Sequence, residues 1–249
     1  MKHAVVLTYD STSESAKSLT QHLDGRMIAR RENIAANECI INWGSGYTSA
    51  RDWNLEWLNN PLSITNAVEK LRAFQLFAGA DVPHPPWTFH LTIAQRWLED
   101  GHRVLARQTS TGMMGQGISL LSNPRQTIPS AEFYSKHVNH DEEYRVHVFR
   151  GMLVNLGQKV ALRPNANMYV RNADERDWDF VHVEEAPFEV ITAGIAAVQA
   201  LGLHFGAADV GYRCRDHRAF VFEVNSAPGT GHNTITRYAE VFLRYLRTL

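Results

Sequence analysis

Two acids and one amide, Asp209, Glu223 and Asn225, form the most informative chemical pattern in the sequence. They lie in residues 206–231, GAADVGYRCRDHRAFVFEVNSAPGTG, a run typical of two β-strands joined by a polar turn. Because side chains alternate between the faces of a strand, Glu223 and Asn225 share one face, and Asp209 is placed to meet them from the neighbouring strand. Oxygen ligands without a thiolate favour Mg²⁺ or Mn²⁺ over Zn²⁺.

The alternative is that these acids are solvated on a surface hairpin, as most acidic side chains are. However, the same strand carries Phe220, Phe222 and Val224, which the alternation assigns to the face opposite Glu223 and Asn225. Burying unpaired carboxylates in such an apolar setting costs on the order of several kcal/mol unless a cation accompanies them. The setting therefore favours a metal site over a solvated hairpin.

A glycine-rich loop follows a predicted strand in the middle of the chain. Residues 104–107 are typical of a strand that ends in Arg107, residues 109–117 have the sequence TSTGMMGQG, and residues 118–121 resume the β pattern. The backbone amides of such a loop can close over phosphates, with Arg107 supplying a fixed positive charge. The Gly-Lys-Ser/Thr ending of a Walker loop is absent, and turn geometry alone also selects glycines, so an ordinary hairpin loop remains the alternative.

Basic side chains recur on two predicted antiparallel strands between residues 143 and 163. Glu143, Arg145 and His147 alternate with apolar residues and so share one face, while Lys159 and Arg163 share a face of the partner strand. Converging cations suit a triphosphate and a carboxylate, although each of them can instead pair with a surface acid. His147 could take a proton from an amine, but a histidine on a strand more often packs or forms a structural hydrogen bond.

Composition sets the outer limits of function. The chain has 249 residues, of which 44% are hydrophobic and 20% charged, and a formal net charge of −1. These values are typical of a globular protein and give no indication of a general polyanion-binding surface, so a nucleic-acid partner is not expected. The two cysteines belong to no metal or redox spacing, and no apolar stretch is long enough for a signal peptide or a membrane span. We therefore expect a cytoplasmic protein without a membrane partner, and the sequence predicts no oligomeric state.

The hydrophobic pattern predicts a mixed α+β fold. Residues 1–60 are predicted to form a small α/β unit with strands at 4–8, 27–30 and 39–43 and a helix at 14–23. One helix is predicted to start at Pro61 and to end at Gly79, with Lys70 at the edge of its apolar stripe, where a lysine is usually solvated. Further helices are predicted near residues 91–99, at 188–203 and at the C-terminal end of the sequence.

Taken together, these features resemble the ATP-grasp proteins. The resemblance rests on the helical Lys70, the glycine-rich loop after Arg107, the run EYRVHVF at 143–149, and GAADV followed by FEVNSAPG at 206–210 and 222–229. Within that superfamily the chain is similar to the ligases that append glutamate to ribosomal protein tails and to short bacteriophage-encoded members. The resemblance implies an α+β fold in which two subdomains, residues 61–138 and 139–249, clasp ATP, with residues 1–60 as a short N-terminal unit.

The resemblance also assigns roles to residues. It implies that Mg²⁺ between the ATP phosphates, or Mn²⁺ in its place, is held by Asp209, Glu223 and Asn225. The nucleotide contacts it implies are Lys70, Arg107, the loop residues Thr111, Gly112, Gly115 and Gly117, and the adenine hinge Tyr134, Ser135, Lys136 and His137. The basic residues it places at the transferred phosphate and the acyl substrate are Arg145, Lys159 and Arg163, with Asn172 nearby. Arg107 stands where the family commonly has lysine, and its rigid fork would hold phosphate differently.

The implied activity is that of an ATP-dependent carboxylate-amine ligase. A carboxylate would attack the γ-phosphate to give an acyl phosphate, which an amine would then convert to an amide. A kinase that forms no amide and a non-catalytic nucleotide-binding module are the alternatives. The expected partners are a small-molecule or peptide carboxylate and an amine acceptor, and their identities are not encoded in any motif of the sequence.

Overall fold

The computed structural model of the chain describes residues 2–29, 34–46, 55–111, 117–164, 166, 177–229 and 231–249. These residues form six α-helices and three β-sheets, the mixed α+β architecture that the sequence predicts. Within the described residues, no helix has both the length and the hydrophobicity needed to cross a bilayer.

The first sheet is parallel and comes from the N-terminal residues. Its strand order is β2-β1-β3-β4, with β1 at His3–Thr8, β2 at Arg26–Ile28, β3 at Glu38–Trp43 and β4 at Glu56–Leu58. Helix α1 (Glu14–His22) follows β1 and begins at Ser13, whose hydroxyl accepts a hydrogen bond from the Ala16 amide. These elements lie close to the predicted positions of the small α/β unit.

The N-terminal sheet shares its hydrophobic core with the last helix, α6 (His232–Leu246). Trp43 at the end of β3 stacks on Phe205, with 5.4 Å between the ring centroids, and its ring edge meets Tyr238 of α6 at 5.8 Å. Phe242, one turn further along α6, lies 5.0 Å from Phe205. The first and last parts of the sequence therefore stabilise each other.

The single helix predicted over residues 61–79 is two helices, which corrects that prediction. Helix α2 (Pro61–Val68) and helix α3 (Lys70–Gly79) are separated by Glu69, whose backbone is extended at φ −80° and ψ 95°. The Lys70 amide donates to the Ser110 carbonyl at 2.9 Å instead of to a helical carbonyl. The break places Lys70 in the first turn of α3, beside the start of the glycine-rich loop.

The second sheet carries that loop. Its strand order is β5-β8-β6-β7, with β5 at Trp87–Thr88, β6 at Val104–Arg107, β7 at Ile118–Leu121 and β8 at Phe133–Lys136. Helix α4 (Leu91–Glu99) covers it through a cluster that contains Ala94 and Leu98. The loop after Arg107 joins β6 to β7, as the pattern of strand, loop and strand predicts.

The third sheet is antiparallel and has the order β11-β10-β9-β12-β13. Its strands are β9 at Glu142–Phe149, β10 at Met152–Ala161, β11 at Trp178–His182, β12 at Phe205–Arg213 and β13 at Arg218–Asn225. Helix α5 (Phe188–Ala200) packs on one face, where Val146, Val148 and Val210 join its core cluster. The opposite face is left for polar side chains and for α6.

The predicted alternation of the apolar residues in β13 is wrong, because this strand contains a β-bulge. Asp209 pairs with Glu223 but Val210 pairs with Val221, so Phe222 is an extra residue on this strand. As a result Val221 and Val224 join the core under α5, and Phe220 and Phe222 do not share that face. The bulge leaves Glu223 and Asn225 on one face, as predicted.

Candidate active site

A row of polar side chains crosses the third sheet on the face opposite α5. Arg145 on β9 is the register partner of Asp209 on β12, which is in turn the partner of Glu223 on β13. Gly157 on β10 and His182 on β11 continue the row towards the other edge of the sheet. Strand pairing thus brings acidic and basic residues together that lie far apart in the sequence.

Asp209 and Arg145 form a bidentate ion pair at the centre of this row. The Nε and Nη2 atoms of Arg145 donate to the two carboxylate oxygens of Asp209 at 2.7 and 2.8 Å. Burial raises the pKa of Asp209, and the facing guanidinium opposes that shift. Arg145 also lies 4.0 Å from the ring centroid of Phe180, which supports its other side. A buried charge pair held on both sides is fixed in position for a ligand.

Glu223 pairs with Lys70 across the boundary between the two predicted subdomains. Lys70 Nζ donates to Glu223 Oε2 at 2.6 Å, and the amide of Asn225 lies 3.4 Å from Oε1. Burial alone would raise the pKa of Glu223, but Lys70, followed by Arg145, lowers it to about 2. Glu223 is therefore a carboxylate at any physiological pH.

The donor set of Asp209, Glu223 and Asn225 suits a hard divalent cation. In the part of the chain that the structure describes, no group of three or more His, Cys, Asp or Glu side chains is arranged for a metal. Both carboxylates are instead neutralised by cations. Two carboxylates and one amide oxygen fit Mg²⁺, because this ion usually keeps several waters and shares its remaining positions with substrate phosphates.

Arg107 lies buried at the end of β6 with only 8% of its surface exposed. Its guanidinium carbon lies 5.8 and 5.6 Å from the ring centroids of Phe74 and Phe133, and its Nε lies 3.5 Å from the Ser135 hydroxyl. Burial lowers the pKa of Arg107, while the charge of Glu223 opposes the shift. Among the described residues Arg107 forms no salt bridge, so its buried charge suits an anionic ligand.

The glycine-rich loop is described only at its two ends. Gln108 donates its amide to the Gly117 carbonyl at 2.7 Å, and the Thr111 amide donates to the hydroxyl of Thr109 at 3.3 Å. Gly117 has φ +68°, and a Cβ there would lie 2.6 Å from the Thr109 methyl group, so this position requires glycine. Two predicted contact residues lie outside the described residues, Gly112 and Gly115.

The predicted adenine hinge is the end of β8 and the residue after it. Tyr134 donates its hydroxyl to the Pro129 carbonyl at 3.0 Å, and Ser135 lies buried beside Arg107. Two hinge amides are engaged within the protein, with Lys136 donating to the Pro86 carbonyl at 2.8 Å and His137 to the Arg103 carbonyl at 2.9 Å. A backbone contact to adenine would therefore use other groups of this segment, and it stays a prediction.

Lys159 and Arg163 pair with different acids in the structure. The side chain of Lys159 is 7% exposed. Its ammonium pairs with Glu143 at 2.8 Å and lies 5.1 Å from the ring centroid of Phe180. Arg163 lies beyond the end of β10, its side chain is 64% exposed, and it lies 3.8 Å from Asp177. Because β10 ends at Ala161, strand alternation does not extend to Arg163, and a face shared with Lys159 stays a prediction. Asn172 lies outside the described residues.

A cavity of about 520 Å³ opens beside Arg145 on the same face of the sheet. Its lining includes Arg145 and His147, which the sequence marks as candidate functional residues, and Asn155, Gly157 and Phe180, which it does not. Asn155 is the register partner of His147, so the strand alternation on β10 could have placed it there. Gly157 and Phe180 carry no sequence signal for a site.

No family model matches the chain, and no curated protein matches its sequence. The chain is similar to the ATP-grasp ligase PsnB in complex with a minimal precursor, Mg and ADP. The alignment covers 98% of this chain and 96% of PsnB, with a TM-score of 0.69 and 13% sequence identity. D-alanyl-alanine synthetase A from Vibrio cholerae O1 biovar eltor matches 99% of this chain over 98% of its own, with a TM-score of 0.71 and 13% identity. A RiPP-associated ATP-grasp ligase from Chryseobacterium gregarium, in complex with ADP and a leader and core peptide, matches 98% of this chain over 97% of its own, with a TM-score of 0.67 and 12% identity. These likenesses confirm the predicted fold.

Proposed function

We propose that this chain, which has the ATP-grasp fold, is an ATP-dependent carboxylate-amine ligase that forms an amide through an acyl phosphate and releases ADP. The observation that carries the proposal is the row of Arg145, Asp209 and Glu223 across three neighbouring strands, with Lys70 bonded to its end. The row combines carboxylates for a metal with cations for phosphate. The solved structures with the same fold, in which Mg and ADP are bound to ligases, support this choice.

In this proposal Asp209, Glu223 and Asn225 hold Mg²⁺, or Mn²⁺ in its place. A cation held by these three side chains would supply positive charge that offsets part of the phosphate charge of ATP. Lys70 and Arg145 already contact the carboxylates, so they lie within reach of phosphates bound at the same place. Arg107 and the glycine-rich loop complete the phosphate site from the second sheet.

The chemistry demands charge neutralisation above all, because a carboxylate attacking a triphosphate brings two anions together. Arg145 and Arg107 supply fixed guanidinium groups for the transferred phosphate, and neither has to give up a proton. Lys159 is proposed to help position Arg145, because both side chains contact the ring of Phe180. The exposed Arg163 is proposed to contact the outer part of the acyl substrate. No side-chain nucleophile is needed.

The partners we propose are a carboxylate from a small molecule or a peptide and an amine acceptor. The solved structures of this fold include ligases bound to precursor peptides and D-alanine ligases, which supports both sizes of substrate. We also propose that residues 61–138 and 139–249 act as the two halves that enclose ATP. The Lys70–Glu223 ion pair, which joins these two segments, supports that division.

Hydroxylamine trapping tests the proposal. The protein is incubated with ATP, Mg²⁺, hydroxylamine and a pool of amino acids and acidic peptides, and hydroxamate and ADP are measured. Formation of both, and their loss in Glu223→Gln but not in the exposed control Glu240→Gln, is the expected result. ADP release without hydroxamate would favour a kinase. Nucleotide binding without turnover for any pool would favour a binding module.

A further inference from the structure

Gly157 of β10 lines the cavity beside Arg145 and forms what we call its floor, where no side chain projects into the cavity. Gly157 lies between Arg145 and His182 in the polar row of the sheet. A Cβ at this position would lie 3.4 Å from Phe180 Cβ and 3.6 Å from its Cδ1, which is ordinary van der Waals contact. Packing therefore does not demand glycine here, and the missing side chain leaves the floor of the cavity free.

The inner wall of the cavity contains His147, and its hydrogen bonds define its tautomer. The hydroxyl of Tyr238 donates to the Gly206 carbonyl at 3.0 Å, which uses its single proton. His147 Nδ1 lies 3.2 Å from the same hydroxyl oxygen, and both contacts of Tyr238 are hydrogen bonds at once only when Nδ1 is the donor. In a neutral ring the proton on Nδ1 leaves a lone pair on Nε2.

The ring is kept neutral by its surroundings. Burial, with a contribution from the charge of Arg145, lowers the pKa of His147 to about 3. His147 Nε2 forms no hydrogen bond with the described residues. They do not fully enclose this atom, so it is accessible from the cavity that His147 lines. The inner wall thus presents a hydrogen-bond acceptor.

Asn155 adds a second unused polar group to the same wall. Its side-chain nitrogen donates to the Thr234 hydroxyl at 2.7 Å, and its side-chain oxygen is buried without a partner. If the amide is turned over, Thr234 donates and the nitrogen is left without a partner instead. In either orientation a side chain that is only 6% exposed keeps one polar atom without a partner among the described residues, next to the cavity that Asn155 lines.

We propose that this cavity binds the amine substrate and that His147 Nε2 accepts a hydrogen bond from its nucleophilic nitrogen. The inference rests on the proposed ligase function, since it assigns the second substrate of that reaction. Arg145 lines the same cavity. With the acyl phosphate bound at Arg145, the amine is held between Arg145 and His147 over Gly157. The substrate class is a primary amine of about amino-acid to short-peptide size, because the cavity volume of about 520 Å³ falls within the range of small-molecule sites.

The step balances without a further reactant. The uncharged amine attacks the carbonyl carbon of the acyl phosphate, the C–N bond forms, and the C–O bond to phosphate breaks with its electron pair. The proton lost from nitrogen leaves on the departing phosphate, giving an amide and hydrogen phosphate. His147 orients the nitrogen lone pair towards the carbonyl and ends the step in its original neutral form.

Two assays on the same protein separate the half-reactions. Transfer of ¹⁸O from the β,γ-bridge of ATP to a non-bridging β position reports acyl-phosphate formation, and hydroxamate formed with hydroxylamine reports amine capture. We expect His147→Phe to keep isotope exchange within about twofold and to lower the hydroxamate rate about tenfold, as the loss of one hydrogen bond in the transition state requires. His147→Gln, which keeps an acceptor oxygen, should recover most of that rate, and Gly157→Val should lower it by filling the floor.

Equal loss of exchange and of hydroxamate in His147→Phe would overturn the amine assignment while leaving the ligase in place. The absence of both exchange and hydroxamate from the wild-type protein would refute the ligase and the amine role together. Nitrogen NMR of His147 in the ligand-free protein gives an independent test. We expect a neutral ring protonated at Nδ1 at pH 7, and an Nε2-protonated ring would overturn the proposal whatever the turnover.

Discussion

His147 makes the stability of the folded protein depend on pH in a defined direction. The unfolded chain protonates this histidine below about pH 6.5, whereas the folded protein keeps it neutral down to about pH 3. Between these values the unfolded state binds more protons, so the free energy of unfolding falls as the pH falls and is unaffected by His147 above the window. Each pH unit in the window costs about 1.4 kcal/mol.

Lowering the pH from 7 to 5 should therefore remove about 2 kcal/mol of stability through His147 alone. The measurement is urea denaturation of the wild-type protein and of His147→Gln at both pH values without nucleotide. Other titrating groups act equally in the two proteins, so the loss in His147→Gln should be smaller by about 2 kcal/mol. The matched control is His102→Gln, at an exposed histidine, which should lose as much as the wild type.

Equal losses in the wild-type protein and His147→Gln would refute the reasoning. That result would mean that His147 is protonated in the folded state near pH 5. An imidazolium would have to donate from Nε2 as well, so the hydrogen-bond pattern with Tyr238 could not leave an acceptor in the cavity.

Four further substitutions test other parts of the structure. Glu223→Gln should abolish most metal-dependent turnover with an unchanged circular dichroism spectrum, and unaltered turnover would remove Glu223 from the metal site. Lys70→Met removes the 2.6 Å ion pair of Glu223, so the affinity of the protein for Mn²⁺ without nucleotide should rise. Electron paramagnetic resonance measures this affinity, and an unchanged value would show that the ion pair does not compete with metal binding. Gly194→Ala places a Cβ 2.7 Å from Val146 Cβ and should lower the free energy of unfolding by about 1–3 kcal/mol. Gly157→Ala meets only ordinary van der Waals contacts and should lower it by less than about 1 kcal/mol. Equal losses of stability in the two variants would contradict the packing at both positions.

Local sequence patterns predicted much of the fold, but they could not predict where long-range contacts override them. The strands and the helix of the N-terminal unit were found because their periodicity and the Ser13 cap act within a few residues. The break at Glu69 was missed because neither Glu69 nor Lys70 is a helix breaker, and the break depends on a hydrogen bond to Ser110. The bulge at Phe222 was missed for a similar reason, since register is set by the neighbouring strand.

In the candidate site, too, local patterns placed some residues correctly and could not reveal contacts that depend on residues distant in sequence. Strand alternation was enough to place Glu223 and Asn225 on one face, and pairing then set Asp209 opposite Glu223. Alternation could not show that Lys159 is neutralised by buried Glu143, since that contact depends on the register of two strands. Alternation also gives no orientation for Arg163, which lies beyond the end of β10.

The core that the N-terminal sheet shares with α6 also constrains how the protein can fold during synthesis. Leu19 and Ile41 are buried in the same cluster as Ile235 and Phe242. A ribosome completes the first sheet long before it makes residues 232–246, so the nascent chain must carry that apolar surface uncovered until the last helix emerges. Contacts between residues so distant in sequence also slow folding, because loop closure must be completed before they stabilise the chain. The N-terminal unit therefore keeps apolar surface exposed to solvent on the ribosome until residues 232–246 have been made.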